Sequence, residues 1–227
     1  MIKLVSFKRG NMSKQFLAVI AVIILGFFGV LVISKKKDNS TNNQAPGQQT
    51  QTSNHVTGAG ADKVKLVEFG DFQCPACKQY YPLVKQIKEK YAQQITFQFR
   101  HFPLTQIHPN AFIGSRAAEA AGLQGKFFEM YDMLYENQEN WSTSSNPTPI
   151  LEDYAKQLGL NIDKFKSDMN SSAVASVINA DLKAGQQLGV NSTPTFFIND
   201  KKIEKNPTSI DEFSKLIDEA IAQQKKQ

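Results

Sequence analysis

Two cysteines occur in the 227 residues, and both lie in the tetrapeptide Cys74-Pro75-Ala76-Cys77. Whatever this chain folds into must hold those two sulfurs side by side. Cys-x-x-Cys at a helix start sets both thiols on one face, where they can close a small disulfide ring. Just upstream, residues 63–69 (KVKLVEF) are rich in strand formers, and Gly70-Asp71 ends the run. Pro75 suits a first helical turn, and Tyr81, Val84, Ile87, Lys88 and Tyr91 recur at helical spacing after it. The spacing predicts a buried strand, a sharp turn carrying the cysteines, and a helix that begins at Pro75.

At such a helix start the first thiol lies near unpaired N–H groups and the positive end of the helix dipole, which favours a thiolate. Cys74 is then the expected nucleophile of a mixed disulfide, and Cys77, one turn deeper, the thiol that resolves it. A zinc site would want four ligands. Only His55, His101 and His108 could add to the pair; His55 falls in a polar stretch and His108 precedes a proline. A purely structural disulfide gains little from so short a loop, and copper handling lacks any cluster of Met or His. Redox exchange with no metal and no bound cofactor is the reading the pair favours.

Two further features bear on that chemistry. Glu68 sits in the middle of the apolar strand, six residues before Cys74. A buried carboxyl there would have a raised pKa and could relay a proton to Cys77; a solvent-facing glutamate on a half-exposed strand is the alternative. Thr193-Pro194 precedes the strand-like residues 195–198 (TFFI), and proline is confined to strand starts or edges. A cis bond there would leave the Thr193 backbone free to pair with an extended peptide, although most X–Pro bonds are trans.

The remaining pattern is of the α/β class. A second strand is expected over 95–102, then helices over 111–122, 126–137, 150–158, 162–169 and 172–188. Strands 195–198 and 202–204 should form a hairpin about 199–201, and an amphipathic helix over 209–223 closes the chain.

The N-terminal part differs in kind. The net charge of +5 comes from residues 1–37, which hold seven Lys or Arg and no acid, while the rest carries 19 basic and 21 acidic residues. That distribution points to a membrane surface and away from nucleic acid. Residues 16–33 form an uncharged apolar run of 18 residues, nearly enough to span a ~30 Å hydrocarbon core as a helix. A cleaved signal peptide is disfavoured by the length of the run and by the lack of an A-x-A-like site. The expected layout is a cytoplasmic segment 1–15, a transmembrane signal-anchor helix 16–33, a flexible polar linker 34–60, and a folded domain 61–227. The polar part of that linker would reach roughly 25 Å.

Glu68, Cys74-Pro75-Ala76-Cys77 and Thr193-Pro194, in this order on their elements, resemble the DsbA-like branch of the thioredoxin superfamily. The helical block resembles it too, through Phe102-Pro103-Leu104, His108-Pro109, residues 116–121 (RAAEAA) and 124–127 (QGKF), Asn137-Gln138 followed by Trp141, and Leu188-Gly189-Val190. The similarity covers about Val64 to Ala222. It implies a thioredoxin-like fold with a helical insertion, about 107–188, between the second and third core strands, behind one N-terminal transmembrane helix. It also implies roles: Cys74 as exposed nucleophile, Cys77 as resolving thiol, Glu68 as buried acid, Pro194 as a cis-proline facing the disulfide, and Pro75, Ala76 and Thr193 beside the substrate.

The family's best-known member has histidine in place of Ala76, and the family often has glycine in place of Ser192 and Asp200. Arg116 and Trp141 read as core and scaffold. The implied activity is extracytoplasmic protein thiol-disulfide exchange, with reduced or disulfide-bonded exported proteins as substrates and a membrane partner for re-oxidation. The same fold working as a reductase or isomerase, or as a non-catalytic peptide-binding module, are the alternatives.

Overall fold

The computed structural model describes residues 51–226. The apolar segment 16–33 and its flanks, 1–15 and 34–50, lie outside the described residues, among which no helix is long and apolar enough to cross a membrane. The elements run β1 (His55–Thr57), β2 (Val64–Gly70), α1 (Pro75–Lys90), β3 (Ile95–His101), α2 (Ala111–Gly122), α3 (Phe127–Glu136), α4 (Gln138–Ser142), α5 (Thr148–Gln157), α6 (Ile162–Asn170), α7 (Ser172–Gln187), β4 (Thr195–Ile198), β5 (Lys201–Lys202) and α8 (Ile210–Gln224).

The strands form one mixed sheet in the order β1-β3-β2-β4-β5. Central β2 runs parallel to β3, with Glu68 opposite Phe99, and antiparallel to β4, with Glu68 opposite Phe196. A strand covered on both faces reads as a near-continuous apolar run, and VKLVEFG does so except at Lys65 and Glu68. This is the thioredoxin-like α/β arrangement, with α2 to α7 inserted between β3 and β4.

Trp141, Tyr131, Tyr135, Phe99, Phe196 and Phe213 are among the fully buried side chains of one core shared by the sheet, the insertion and α8. Losing a side chain of this size from a core costs roughly 3–5 kcal/mol. The indole N–H of Trp141 donates to the Leu134 carbonyl at 2.9 Å, and its ring lies against Gly114, where a Cβ would come within 2.6 Å. Arg116 donates to the Ser171 carbonyl at 3.2 Å and to that of Met169, tying α2 to the α6–α7 junction. Both residues are scaffold.

Three expectations need correction. Residues 53–57, expected in the flexible linker, are folded: β1 pairs antiparallel with β3, His55 opposite Phe99 and Thr57 opposite Phe97. The cause is polar. The Ser53 N–H donates to Asp181 Oδ1 at 3.1 Å and its hydroxyl to Asp181 Oδ2, while the His55 ring stacks on Phe127 at 3.4 Å and meets Glu119 Oε1 at 2.7 Å. A stretch read as too polar to fold is held by buried carboxylates more than a hundred or sixty residues away. Second, the hairpin turn is Asn199-Asp200 alone, so β5 begins at Lys201; Asn199 takes a left-handed φ of 56°, and its side chain accepts from the Lys65 N–H at 2.9 Å. Third, the short helix α4 was not anticipated.

Candidate active site

Strand β2 ends at Gly70, and the turn that follows is built around Asp71. This buried carboxylate accepts from the N–H of Gln73 at 2.8 Å and of Leu104 at 2.9 Å, and meets His108 Nδ1 at 2.7 Å. The insertion clamps the turn from its other side. Gln138 donates to the carbonyls of Phe72 and Cys74 at 2.7 and 3.0 Å, and Gln73 donates to the Ser142 carbonyl at 2.9 Å. Cys74 is left with extended backbone (φ −67°, ψ 123°) as the N-cap of α1, and Pro75 opens the helix.

The two thiols differ as their places on the helix require. Both are free, so this is the dithiol state. Cys77 is 0 % exposed and Cys74 6 %; the expected open nucleophile thus sits at a covered rim, with exposed Pro75 and half-buried Ala76 beside it. As a thiol, Cys74 donates to the Thr193 carbonyl at 3.4 Å. As a thiolate it is stabilised first by the Cys77 S–H, then by Thr193 and by the N–H groups of Cys77 and Ala76. Together these outweigh burial and bring its pKa down to about 5. The Thr193 hydroxyl, buried with no other partner among the described residues, is the donor available for that purpose. The Thr193–Pro194 peptide is cis.

Burial pushes the Cys77 thiol well above the ordinary range, and the neighbouring Cys74 and Glu68 push it further. Glu68 is 1 % exposed, accepts a hydrogen bond from the Tyr131 hydroxyl at 3.2 Å, and is raised by burial to about 7. Of its two sequence readings, the structure shows the buried one. A carboxyl poised near 7 beside a thiol poised high is a matched pair for proton transfer.

The fold thus brings Glu68, Cys74, Pro75, Ala76, Cys77, Thr193 and Pro194 around one turn. Asp71, Gln138 and Tyr131 belong to the same place, and the sequence reading gives none of them a role in the site. Asp71 carries a weak signal, a carboxylate directly after Gly70 and three residues before Cys74. Gln138 enters only through the family resemblance, as part of Asn137-Gln138, and Tyr131 carries no signal; they lie 64 and 63 positions from their partners.

A separate cluster joins β1, β3 and α2. His55, His101 and Glu119 lie close enough to suggest a metal, but they offer three ligands where a closed zinc site needs four. Ligating histidines also usually donate their second nitrogen, whereas His101 Nδ1 is buried and unpartnered. Burial raises the Glu119 carboxyl, yet the His101 and His55 hydrogen bonds outweigh it and hold the group at about 2. The cluster reads as a charge-assisted fastening of β1.

A family model described as thioredoxin matches residues 50–219. The probable disulfide bond formation protein D of Bacillus cereus is 30% identical over 213 residues, 90% of this chain and 93% of the relative. The Na(+)/H(+) antiporter NhaA 3 of Salinispora tropica is 36% identical over 168 residues, 74% of this chain but 25% of the relative. The chain therefore spans about a quarter of that antiporter's length. Among solved structures, oxidised BdbD from Bacillus subtilis superposes with a TM-score of 0.65 at 24% identity, covering 74% of this chain and 92% of that one.

Proposed function

The chain belongs to the thioredoxin family, in its DsbA-like branch, and from that premise we propose that it is a protein thiol-disulfide oxidoreductase that makes or exchanges disulfides in exported proteins. One observation carries the reading: two thiols on a single helical turn stand in opposite settings, Cys74 with the Thr193 carbonyl at 3.4 Å and Cys77 fully buried, so that the first is pushed down to about 5 and the second upward. A structural disulfide has no use for that asymmetry. In a mixed disulfide a low-pKa sulfur is the better leaving group and a protonated partner the better reservoir. A peptide-binding module would need the groove at Thr193 but not the thiols. The name borne by the Bacillus cereus relative agrees with the reading.

In the oxidising direction a substrate thiolate attacks Cys74 of the disulfide form. The Cys74–Cys77 bond breaks, and Cys77 leaves as a thiolate that takes the proton held by Glu68. A second substrate thiolate then attacks the first, a substrate disulfide forms, and Cys74 departs as a stabilised thiolate. The substrate dithiol loses two electrons and the protein disulfide gains them, becoming the dithiol. Run backwards, the same steps make a reductase, and the potential decides which direction prevails. The oxidised chain should transfer its disulfide stoichiometrically to a reduced, unfolded protein, read as appearance of two thiols per chain; no transfer from a demonstrably oxidised sample would overturn the assignment.

The setting completes the proposal. Residues 16–33 would hold the protein in the cell membrane as a single pass with residues 1–15 in the cytoplasm. The rest of the linker would present the domain outside, where a membrane redox partner re-oxidises it, with no bound cofactor in the domain itself. Alkaline carbonate should leave the protein in the membrane pellet, and protease added to intact cells or protoplasts should digest the domain. Release of the bulk as a soluble form starting near residue 35 would replace the anchor with a signal peptide.

A further inference from the structure

Helix α1 carries a cation on the face it turns inward. Cys77, Tyr81, Val84 and Lys88 follow one another at steps of four, three and four, and the first three are buried. Lys88 Nζ lies over the rings of Phe128, Tyr131 and Phe97, at 4.8, 4.9 and 5.3 Å from their centroids. Lys85, one turn away, pairs with Glu136 at 3.3 Å, whereas Lys88 has no ion-pair partner among the described residues. Its outer side opens into a cavity of about 270 Å³, lined also by Lys85, Glu89, Asp132 and Thr57, which gives the ammonium access to water.

Tyr131 stands between this cation and the acid of the site. Its hydroxyl donates to Glu68 Oε2 while its face carries Lys88. A cation on the ring draws electron density from the phenol and strengthens the O–H as a donor, and across so short a low-dielectric span its field also favours the carboxylate. The groups facing Glu68 are Cys77, Cys74 and Lys88 from α1 and Tyr131 and Tyr135 from α3, while its strand neighbours Phe99 and Phe196 are apolar. Lys88 is faced by Asp132 from α3 and by Lys85 and Glu89 of its own helix. Among these, Lys88 is the positive charge nearest in influence to Glu68; burial works against both groups, raising the acid and lowering the lysine.

We propose that Lys88 is a positioning residue of the redox site, an ammonium wetted through this cavity that acts across Tyr131 to keep Glu68 able to release the proton it takes from Cys77. The inference rests on the thiol-exchange reading above. Without Lys88, Glu68 stays protonated to higher pH and Cys77 has nowhere to send its proton.

The test uses the full-length chain and follows the pH dependence with which Cys77 resolves a preformed mixed disulfide on Cys74, together with the carbon-13 titration of the Glu68 carboxyl. Wild type should show a midpoint near 7. Lys88→Met should move it upward by about one pH unit, the scale of one nearby charge, slowing resolution at pH 6 by up to about tenfold. Lys88→Arg should restore it. Lys88→Gln stands in if Lys88→Met does not fold, and the carboxyl titration needs no activity. A folded variant without the cation whose midpoint stays at the wild-type value overturns the proposal, since a merely structural lysine would alter thermal stability alone. Glu68→Gln separates the two readings. If it flattens the profile while Lys88→Met leaves it unmoved, only this inference fails; if it changes nothing, the proton role of Glu68 falls with it.

Discussion

Replacing Cys74 by serine should reduce disulfide exchange to the uncatalysed background, while replacing Cys77 by serine should leave a protein that accumulates covalently bound substrate. The two outcomes differ because the sulfurs do. Cys74 lies at the rim, beside exposed Pro75, and has four donors directed at its thiolate, so its loss removes the nucleophile and leaving group together. Cys77 is 0 % exposed and can act only on a bond already made at Cys74. Its removal traps the mixed disulfide, a species visible as a reducible mass increase. Equal loss of activity without trapped adducts, or adducts formed through Cys77 in the Cys74 variant, would reverse the assignment. Both substitutions replace sulfur by oxygen in a packed but small site, so the fold should survive each.

The reduced chain should also lose stability relative to the disulfide form on acidification. A thiol near 8.5 when unfolded and near 5 when folded is depressed by folding. The contribution is therefore complete above the unfolded value and disappears as pH falls through about 5. Between pH 7 and pH 4 the reduced form should lose roughly 2–3 kcal/mol from this source, and the disulfide form nothing. Glu68, raised to about 7, acts in the opposite sense, but it is present in both redox forms and largely cancels in their difference. Denaturant unfolding of the two forms at both pH values reads the effect, and absorbance of the thiolate near 240 nm should titrate with a midpoint near 5. A reduced-minus-oxidised stability difference that ignores pH would mean that the Cys74 thiolate is not specially stabilised, and the exchange mechanism would lose its driving asymmetry.

Much of the chemistry in this site is local and hence legible in the chain. Cys74, Pro75 and Cys77 are contiguous, Glu68 lies on the strand that delivers them, and Thr193-Pro194 announces itself by placing a proline against a strand. What holds these groups is not local. Gln138 reaches two carbonyls 64 and 66 residues back, and Tyr131 reaches Glu68 across 63; no periodicity encodes such distances. Lys88 falls between the two cases. Its helical spacing from Cys77 could be read directly, but a lysine on an inward stripe is usually assumed to carry its head clear into water, and only the three rings show that the ammonium stays over the aromatic cluster while the cavity wets its outer side. The linker boundary was misplaced for a related reason. Composition judges a segment by its own residues, and Ser53 and His55 are ordered by Asp181 and Glu119.

That last arrangement has a mechanical side. The part of the chain preceding Ser53 enters the fold through β1, three residues paired antiparallel to β3, and through the Asp181 and Glu119 fastenings. Any pull transmitted along the preceding segment is met there first. β1 lies at one edge of the sheet, and β3 stands between it and the β2 strand that leads into the redox turn. Tension would peel this edge strand and break its polar fastenings before it bore on Glu68 or the cysteines. A load applied at Ser53 would therefore be spent on an edge strand two positions away from the one that carries the redox turn.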